Sequence, residues 1–237
     1  DCHKNESLPV MARLARYVIP GVAHHVTQRG NGRQQTFFSD ADYGAYRDLL
    51  AQHCSAHGVA VWSWVLMPNH VHLVLVPEHS DALRAALSKV HRAYAGRIHA
   101  REKRTGHFWQ GRFGCVAMDE AHLLAAIRYV ALNPVRARLV ARATDWRWSS
   151  VHALLDPGHG DGLTGTAPVL ARVPDIASWL ETGDDNGMNT ALRRAETTGR
   201  PIGSDPFLER IKAAVGRDPK PGKRGPKAKG QKSALSP

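Results

Sequence analysis

Two histidines one residue apart, His70 and His72, lie in the stretch MPNHVHLVLVP (67–77), which otherwise has the composition of a buried β-strand. Alternate side chains of a strand point to the same face, so the two imidazoles stand side by side and aliphatic residues line the opposite face. Two imidazoles placed in this way can bind one metal ion. They can also be half-buried histidines with ordinary hydrogen bonds, and the pattern alone leaves both possibilities open.

A second set of polar side chains follows helical spacing in the segment 119–133, DEAHLLAAIRYVALN. One stripe of this segment is apolar and typical of a core contact. The neighbouring stripe carries Tyr129 and, one turn later, Asn133. The amide oxygen of Asn133 is a hard ligand that could complete a metal site begun by two imidazoles. Alternatively, Tyr129 is a half-buried aromatic residue and Asn133 caps the end of the helix.

The elements that must position these residues alternate along the chain. Strands are predicted over 22–29, 59–67, the histidine stretch and 114–118, and helices over 40–57, 81–104 and 119–133. Pro68 and Asn69 make the turn into the histidine strand. Pro134 is expected to end the last helix, because the residue before a proline avoids the α region. The order β-α-β-β-α-β, followed by a further helix, predicts an α+β fold with a ferredoxin-like (split βαβ) antiparallel sheet.

Composition and charge indicate the class of partner. The chain has 237 residues, 43% of them hydrophobic, and Lys plus Arg outnumber Asp plus Glu by 32 to 21, which gives a net charge of +11. An excess of this kind favours a nucleic-acid partner. No apolar run is long enough to span a membrane. Three cysteines without metal-site spacing suit reduced thiols in a cytosol, so a cytoplasmic location is expected.

Several separated motifs resemble a known family. MPNHVHLVL is similar to the HUH motif (His, hydrophobic, His) of single-tyrosine transposases of the IS200 type. The motifs FWQGRF, RYVALNPVRA and DWRWSSV, together with YVIPGVAHHVTQRGNGRQQTFF and TTGRPIGSDPFLERIKAAVGR, resemble the REP-associated tyrosine transposases of bacteria. The resemblance covers about residues 13–229. It implies an HUH endonuclease fold and an enzyme that cuts and rejoins single-stranded DNA beside palindromic hairpins.

The resemblance assigns roles residue by residue. His70 and His72 match the HUH pair, Tyr129 matches the nucleophile, and Asn133 matches a polar third ligand that varies among relatives. A phenol with a pKa of about 10 is a poor nucleophile at neutral pH. A divalent ion, Mg²⁺ or Mn²⁺, held by the two histidines and Asn133 would neutralise charge on the phosphate. Tyrosine attack would release a 3′-hydroxyl and leave a 5′-phosphotyrosine. Among the other tyrosines, Tyr94 is the serious rival.

The expected DNA contacts lie in several loops. They are Arg29, Asn31 and Arg33 around the glycine turn, Trp109, Gln110 and Arg112 in the aromatic loop, Arg136 after the last helix, and Lys223, Arg224 and Lys227 in the tail. Trp109 could stack on a base or pack under a loop. The tail sequence KRGPK resembles elements that enter a narrow minor groove, although a purely electrostatic anchor is an equal alternative.

The predicted organisation has four parts. A leader (1–12) is expected because MARLARY from Met11 would make a natural start. The catalytic domain (13–155) and a helical and loop extension (156–216) follow. The last part (217–237) has seven basic residues and one acidic residue between Arg217 and Lys232, among prolines and glycines, and is expected to be a disordered basic tail.

Two other functions remain possible on this fold. One is a non-catalytic nucleic-acid-binding module with structural histidines, although the aromatic-rich RNA-reading signature is missing. The other is a metal phosphoesterase that uses water, although the sequence shows no cluster of carboxylates around the histidine strand. The expected partner is single-stranded DNA with a palindromic, REP-like hairpin, bound by a monomer or homodimer near the bacterial nucleoid.

Overall fold

A four-stranded antiparallel sheet forms the centre of the protein, whose computed structural model describes residues 15–182 and 186–220. The strands are β1 (His24–Arg29), β2 (Val59–Met67), β3 (His70–Pro77) and β4 (Gly114–Ala117). Their order across the sheet is β2-β3-β1-β4, which is the ferredoxin-like arrangement that the element order predicts. The predicted fold class is therefore confirmed.

The helices flank both faces of the sheet. In chain order they are α1 (Asp40–Ala56), α2 (Ala82–Glu102), α3 (Glu120–Arg136), α4 (Val151–Leu155), α5 (Ala167–Leu170), α6 (Ile176–Glu181), α7 (Asn186–Thr198) and α8 (Asp205–Val215). Helices α1 and α2 pack with aliphatic residues of β3 in one core. Helix α3 packs on the opposite face with Val74 of β3 and Val65 of β2, in a second core that α7 extends.

The register of the sheet sets the neighbours of the two histidines. Strand β1 pairs with β3 so that Arg29 lies opposite His70 and Thr27 opposite His72. Because side chains alternate along a strand, the odd-numbered residues of β1 share the face of these histidines. His25 is one of them and lies two residues before Thr27 in β1.

Loop segments cover both edges of the sheet. Along β2, the segment 148–150 pairs with the strand, since Leu66 N–H donates to the Trp148 carbonyl and Ser150 N–H to the Trp64 carbonyl. Along β4, Ile202 N–H donates to the Ala117 carbonyl. Edge strands with unpaired backbone groups favour aggregation, so the motifs DWRWSSV and GRPIGSD have a structural role in satisfying these edges.

One predicted boundary is wrong. Helix α3 does not end before Pro134 but continues to Arg136, with the proline inside its last turn. Proline removes only its own donor, and the turn is closed instead by Ala137 N–H to the Asn133 carbonyl (2.9 Å) and Leu139 N–H to the Pro134 carbonyl (3.0 Å). Asn133 is thus an interior helical residue and not a C-cap. At its other end, the helix is capped by the Asp119 side chain, which accepts from His122 N–H.

Other boundaries differ from prediction by two residues or fewer, as fraying ends usually do. The predicted leader and nearly all of the predicted tail, including Lys223, Arg224 and Lys227, lie outside the described residues. Among the residues that are described, no helix is both long and apolar enough to cross a membrane.

Candidate active site

The two predicted histidines lie at the start of β3, with ring centroids 4.9 Å apart. His70 is half-buried, and its Nδ1 lies 2.6 Å from the side-chain oxygen of Asn69. Because that oxygen can only accept, His70 Nδ1 carries the proton and Nε2 keeps a lone pair. His72 is 3% exposed. This arrangement leaves a nitrogen of His70 available to bind a metal ion.

Helix α3 brings Tyr129 against the histidines. The Tyr129 ring centroid lies 5.4 Å from that of His72, and the two rings meet edge to face. Two guanidinium groups, of Arg136 and Arg193, lie 4.9 and 5.8 Å from the Tyr129 ring centroid. Asn133, one helical turn further along α3, is buried. A phenol, imidazoles and cations are therefore gathered at one end of the sheet, as a reaction on a phosphate requires.

Two functional candidates were missed by the sequence analysis, His25 on β1 and Glu196 on α7. His25 Nε2 lies 3.1 Å from His72 Nδ1 in hydrogen-bonding geometry. His25 Nδ1 lies 3.4 Å from Glu196 Oε1, and His72 Nδ1 lies 3.9 Å from the same oxygen. The alternation of β1 could have indicated His25. No local pattern could have indicated Glu196, which is 124 residues from His72 (196 minus 72).

The presence of Glu196 corrects one expectation. The sequence shows no carboxylate cluster around the histidine strand, yet the fold brings one carboxylate into contact with it. His25, His72 and Glu196 form a group whose ligand atoms all lie within 4.8 Å of one another. The helix that supplies Glu196 lies in the predicted extension, outside the predicted catalytic domain 13–155.

Burial keeps the imidazoles of this site neutral. It lowers the pKa of His25 to about 4, and burial together with the Arg29 charge lowers the pKa of His70 to about 4. Burial and the neighbouring His25 hold the pKa of His72 well below its ordinary value. Burial raises the pKa of the Glu196 carboxyl to about 7, against the opposing effect of Arg29 and Arg193. Neutral imidazoles are the form that binds metal ions.

These residues fit a divalent ion by the chemistry of their donors. Neutral imidazole nitrogens, a carboxylate and an amide oxygen such as that of Asn133, one helical turn from Tyr129, are ligand types that Mg²⁺ and Mn²⁺ accept. Two buried polar atoms, His25 Nδ1 and Glu196 Oε1, also have no hydrogen-bond partner within the described part of the chain. Buried polar atoms without partners are uncommon away from functional sites.

Three loops converge beside His70 and carry most of the predicted DNA contacts. Gly30 N–H donates to the Asn69 carbonyl, Asn31 N–H to that of Phe108, and Gln110 N–H to that of Arg29. A Cβ at Gly30 would lie 2.4 Å from the Gln34 carbonyl oxygen, so only glycine fits this turn. Asn31, Arg33, Gln110 and Arg112 are exposed and Arg29 is half-buried.

A cleft of about 290 Å³ opens beside the histidines, lined by His70, His72, Arg29, Gln110 and Glu196 among others. A larger cleft of about 800 Å³ shares Arg29, Gln110 and Glu196 with it and adds Arg16 and Arg112. Together they form a groove with cationic side chains that leads to the histidines. A groove of this kind suits a nucleic-acid strand.

Trp109 lies in a mixed environment. Its indole N–H donates to the His91 carbonyl (3.0 Å), and its ring contacts Phe108 and His91, although the side chain is partly exposed. These contacts favour the packed alternative over a stacking platform. The guanidinium of Arg136, also a predicted DNA contact, lies beside the Tyr129 ring.

The rival tyrosine occupies the opposite face of the sheet. Tyr94 belongs to the core between β3 and α2, and its hydroxyl donates to the Thr36 carbonyl at 2.7 Å. Burial raises its pKa. A buried phenol with a satisfied hydroxyl and no neighbouring imidazole of the HUH pair is poorly placed to attack a phosphate.

Comparisons with known proteins show what the fold and part of the sequence resemble. A REP-associated tyrosine transposase, solved bound to a REP hairpin, superposes with a TM-score of 0.55 at 21% identity, covering 65% of this chain and 90% of that one. A Deinococcus radiodurans R1 protein assigned as a transposase aligns with a TM-score of only 0.36 at 19% identity, covering 54% of this chain and 92% of that one. A search of curated proteins found no match. Residues 19–133 match the model of the family described as "Transposase IS200 like". Through these residues, somewhat less than half of its length, the chain is similar to the IS200-like transposases.

Proposed function

We propose that the protein is a metal-dependent endonuclease and strand transferase of single-stranded DNA, with Tyr129 as nucleophile. The single observation that carries this proposal is the position of the Tyr129 ring, 5.4 Å from His72 and on the face of the sheet that both HUH histidines share. The family is one of DNA-processing enzymes, and no other described tyrosine contacts this histidine pair with its ring.

The covalent step exchanges one phosphate ester for another. The phenol oxygen of Tyr129 bonds to phosphorus, the bond from phosphorus to the 3′-oxygen breaks, and a 5′-phosphotyrosine and a free 3′-hydroxyl result. The phenol loses its proton to solvent, and the leaving oxygen gains one. A divalent ion bound by His70, His72 and Asn133 would neutralise charge on the non-bridging phosphate oxygens. Because the ester bond is retained, rejoining needs no external energy source.

The chain's own cations would guide the strand. Arg29 lies opposite His70 in the register of the sheet, and Arg136 and Arg193 lie over the Tyr129 ring. These groups would attract the phosphate to be cut. The structural neighbour is bound to a REP hairpin, and we extend this partner to the present chain: a hairpin beside a single strand that enters the groove. We place this activity on DNA in the bacterial cytoplasm.

The test uses a hairpin oligonucleotide with a flanking single strand, incubated with the full chain and Mn²⁺. We expect a covalent protein–DNA band on a denaturing gel, lost in EDTA and lost in Tyr129→Phe, while hairpin binding by Tyr129→Phe is retained. Tyr94→Phe is the matched control and should still form the adduct. A covalent band of wild-type intensity from Tyr129→Phe would contradict the assignment.

A second candidate, a phosphoesterase that uses water, is favoured by one specific observation. Burial raises the pKa of Glu196 to about 7, which would suit a general base that activates water. The same gel separates the two functions. Hydrolysis would yield cut DNA without a protein-linked band, and Tyr129→Phe would still cut.

A further inference from the structure

A chain of polar contacts runs from α7 through β1 to the HUH strand. Glu196 Oε1 lies 3.4 Å from His25 Nδ1, and His25 Nε2 lies 3.1 Å from His72 Nδ1. The two imidazole rings are nearly parallel, 11° apart, with centroids separated by 5.2 Å. This separation corresponds to rings joined nitrogen to nitrogen and not stacked face to face. The side chain of His25 is wholly buried, so water does not compete for these contacts.

The proton between the two histidines can belong to either ring. If His25 donated through Nε2–H, its Nδ1 would carry a bare lone pair facing the carboxylate oxygen of Glu196, which is repulsive. If His72 donates through Nδ1–H, then His25 carries its own proton on Nδ1 and directs it at Glu196. The second arrangement lets His72 donate to His25 and turns the remaining His25 N–H towards Glu196 Oε1, 3.4 Å away. That contact lies outside hydrogen-bonding geometry, but the charge attracts the N–H.

The other HUH histidine shows the same pattern. His70 donates its Nδ1 proton to Asn69, which leaves Nε2 with the lone pair. In both histidines, a partner at Nδ1 thus selects Nε2 as the free nitrogen. Partners of this kind fix the tautomer and ring orientation of metal-binding histidines and usually strengthen binding.

We propose that His25 and Glu196 are positioning residues, which hold His72 in its Nδ1–H tautomer so that Nε2 presents its lone pair to a metal ion. The inference rests on the proposed metal-binding role of His72. It goes beyond that role because it assigns a task to two residues outside the HUH motif, one of them in the C-terminal extension.

The first test needs no substitution. The full chain is labelled with ¹⁵N-histidine, kept free of metal and examined by long-range ¹H–¹⁵N correlation NMR at pH 7.5. We expect His72 to show a protonated Nδ1 and an unprotonated Nε2. A His72 ring protonated at Nε2 would overturn the proposal directly.

The second test measures Mn²⁺ binding by electron paramagnetic resonance. His25→Phe keeps a ring in the cavity but removes both nitrogens, and it should weaken Mn²⁺ binding by about 10–100-fold. Glu196→Ala should weaken Mn²⁺ binding less than His25→Phe does. Glu196→Gln should largely restore binding, because an amide oxygen still places a partial negative charge opposite His25 Nδ1. The matched control is His24→Phe on the same strand, since His24 is equally buried but bonds to Val22 and Ile19. It should leave Mn²⁺ affinity unchanged.

The outcomes distinguish this inference from the proposed function. If His70→Ala and His72→Ala bind Mn²⁺ like the wild type, the proposed metal site fails. If these variants lose binding but His25→Phe does not, only the positioning role of His25 and Glu196 is disproved. A different outcome is that Glu196→Ala and Glu196→Gln both abolish binding while His70→Ala retains it. That result would show that His25, His72 and Glu196 bind the metal directly, and it would overturn the positioning role. Thermal unfolding of every variant checks that it is folded.

Discussion

At the scale of single residues, the site depends on what each polar atom is bonded to. Tyr129 and Tyr94 have the same side chain, yet one lies against the HUH histidines and the other donates to a backbone carbonyl within the core. Asn69 is the hydrogen-bond partner of His70 Nδ1, and His25 is that of His72 Nδ1. The chemistry of the site is therefore fixed by hydrogen-bond partners as much as by residue type.

Tyr94→Phe should separate stability from catalysis. The substitution leaves the Thr36 carbonyl without its buried donor, which should lower the free energy of unfolding by about 1–3 kcal/mol. Chemical denaturation measures this loss. Adduct formation with hairpin DNA should persist at a temperature where the variant is folded. Loss of the adduct by folded Tyr94→Phe would make Tyr94 a candidate nucleophile again.

Asn133→Ala should be milder than His72→Ala. Water can take the place of one oxygen ligand, whereas an imidazole in a buried site has no such substitute. We expect His72→Ala to abolish Mn²⁺-dependent cleavage and Asn133→Ala to reduce its rate by about tenfold, within the range typical of residues that support a metal site. Initial rates at saturating Mn²⁺ compare them, and equal losses would show that Asn133 is an essential ligand.

At the scale of elements, the sheet is maintained by segments that pair with its edges. The Ser150 hydroxyl accepts from Trp64 N–H on β2 and bonds to the Ser63 hydroxyl, both at 3.0 Å, and Ser150 is fully buried. One side chain therefore joins the DWRWSSV motif to β2. The motif's contribution is to the stability of the strand next to the histidine strand, and not to chemistry.

Ser150→Ala should destabilise the fold. Trp64 N–H and the Ser63 hydroxyl would both lose a buried partner, at a cost of about 1–3 kcal/mol. Ser55→Ala, at an exposed position of α1, should change the free energy of unfolding by less than about 0.5 kcal/mol. Urea denaturation compares the two variants. Equal stability would mean that this edge is held by backbone bonds alone.

Helices α1 and α2 are joined by a charge pair with a predictable pH dependence. Burial would raise the pKa of Asp42, but hydrogen bonds from Arg101 and the Phe38 backbone prevail, and the net pKa lies below its ordinary value. A depressed pKa stabilises the folded state above the ordinary Asp value of about 3.9, and this contribution is lost as pH falls through the lower folded value.

Asp42→Asn should therefore cost most near neutral pH. We expect a loss of about 2 kcal/mol at pH 7, because hydrogen bonds to a charged group are replaced, and a smaller difference from wild type below about pH 4. Asp48→Asn in the same helix is the control, since that carboxylate is mostly exposed. Denaturation at several pH values tests this, and a difference that does not vary with pH would contradict the assignment.

At the scale of the whole molecule, the net charge of +11 is unevenly distributed. Cationic side chains line the groove that leads to the histidines. Five further lysines and arginines lie in residues 221–237, beyond the described residues. Two electrostatic contributions to DNA binding are thus expected, one from the groove and one from the tail.

Deleting residues 221–237 should change affinity without changing chemistry. Each phosphate contact of a duplex contributes about 0.9 to the slope of log affinity against log salt, so loss of the tail's cations should reduce the magnitude of the slope by up to about 4.5. Fluorescence anisotropy with a labelled hairpin at several salt concentrations measures it. The rate of adduct formation at saturating DNA should be unchanged. An unaltered slope would mean that the tail does not contact the hairpin.

Much of the fold could be predicted because it follows from local patterns. The apolar, β-branched composition of β2 and β3, the turn at Pro68 and the cap at Asp119 are all short-range features. The element order implied the sheet order. The proximity of Tyr129 to the histidine strand was expected from the resemblance to single-tyrosine transposases, and the structure brings the two rings together. The continuation of α3 past Pro134 was missed because the closing hydrogen bonds come from residues after the proline.

The rest of the site could not be predicted because it depends on tertiary contacts. Glu196 reaches His25 only because α7 packs against α3 and β4. Its sequence neighbours give no sign of this, since a glutamate on a polar helix is ordinarily solvated. Residues that orient a metal ligand follow no recognisable spacing in the sequence. A sequence pattern can therefore indicate the ligands but not the residues that orient them.

The contact of Glu196 with His25 also has a consequence for synthesis of the protein on the ribosome. The residues 19–133 that match the family precede α7 in the chain. A nascent chain can therefore fold its sheet and bring Tyr129 to His72 before residue 196 has emerged. Until then, His25 and His72 lack the carboxylate of Glu196, and the contacts proposed to orient His72 are incomplete. On the proposal made above, tight metal binding would then arise only after α7 has emerged and packed.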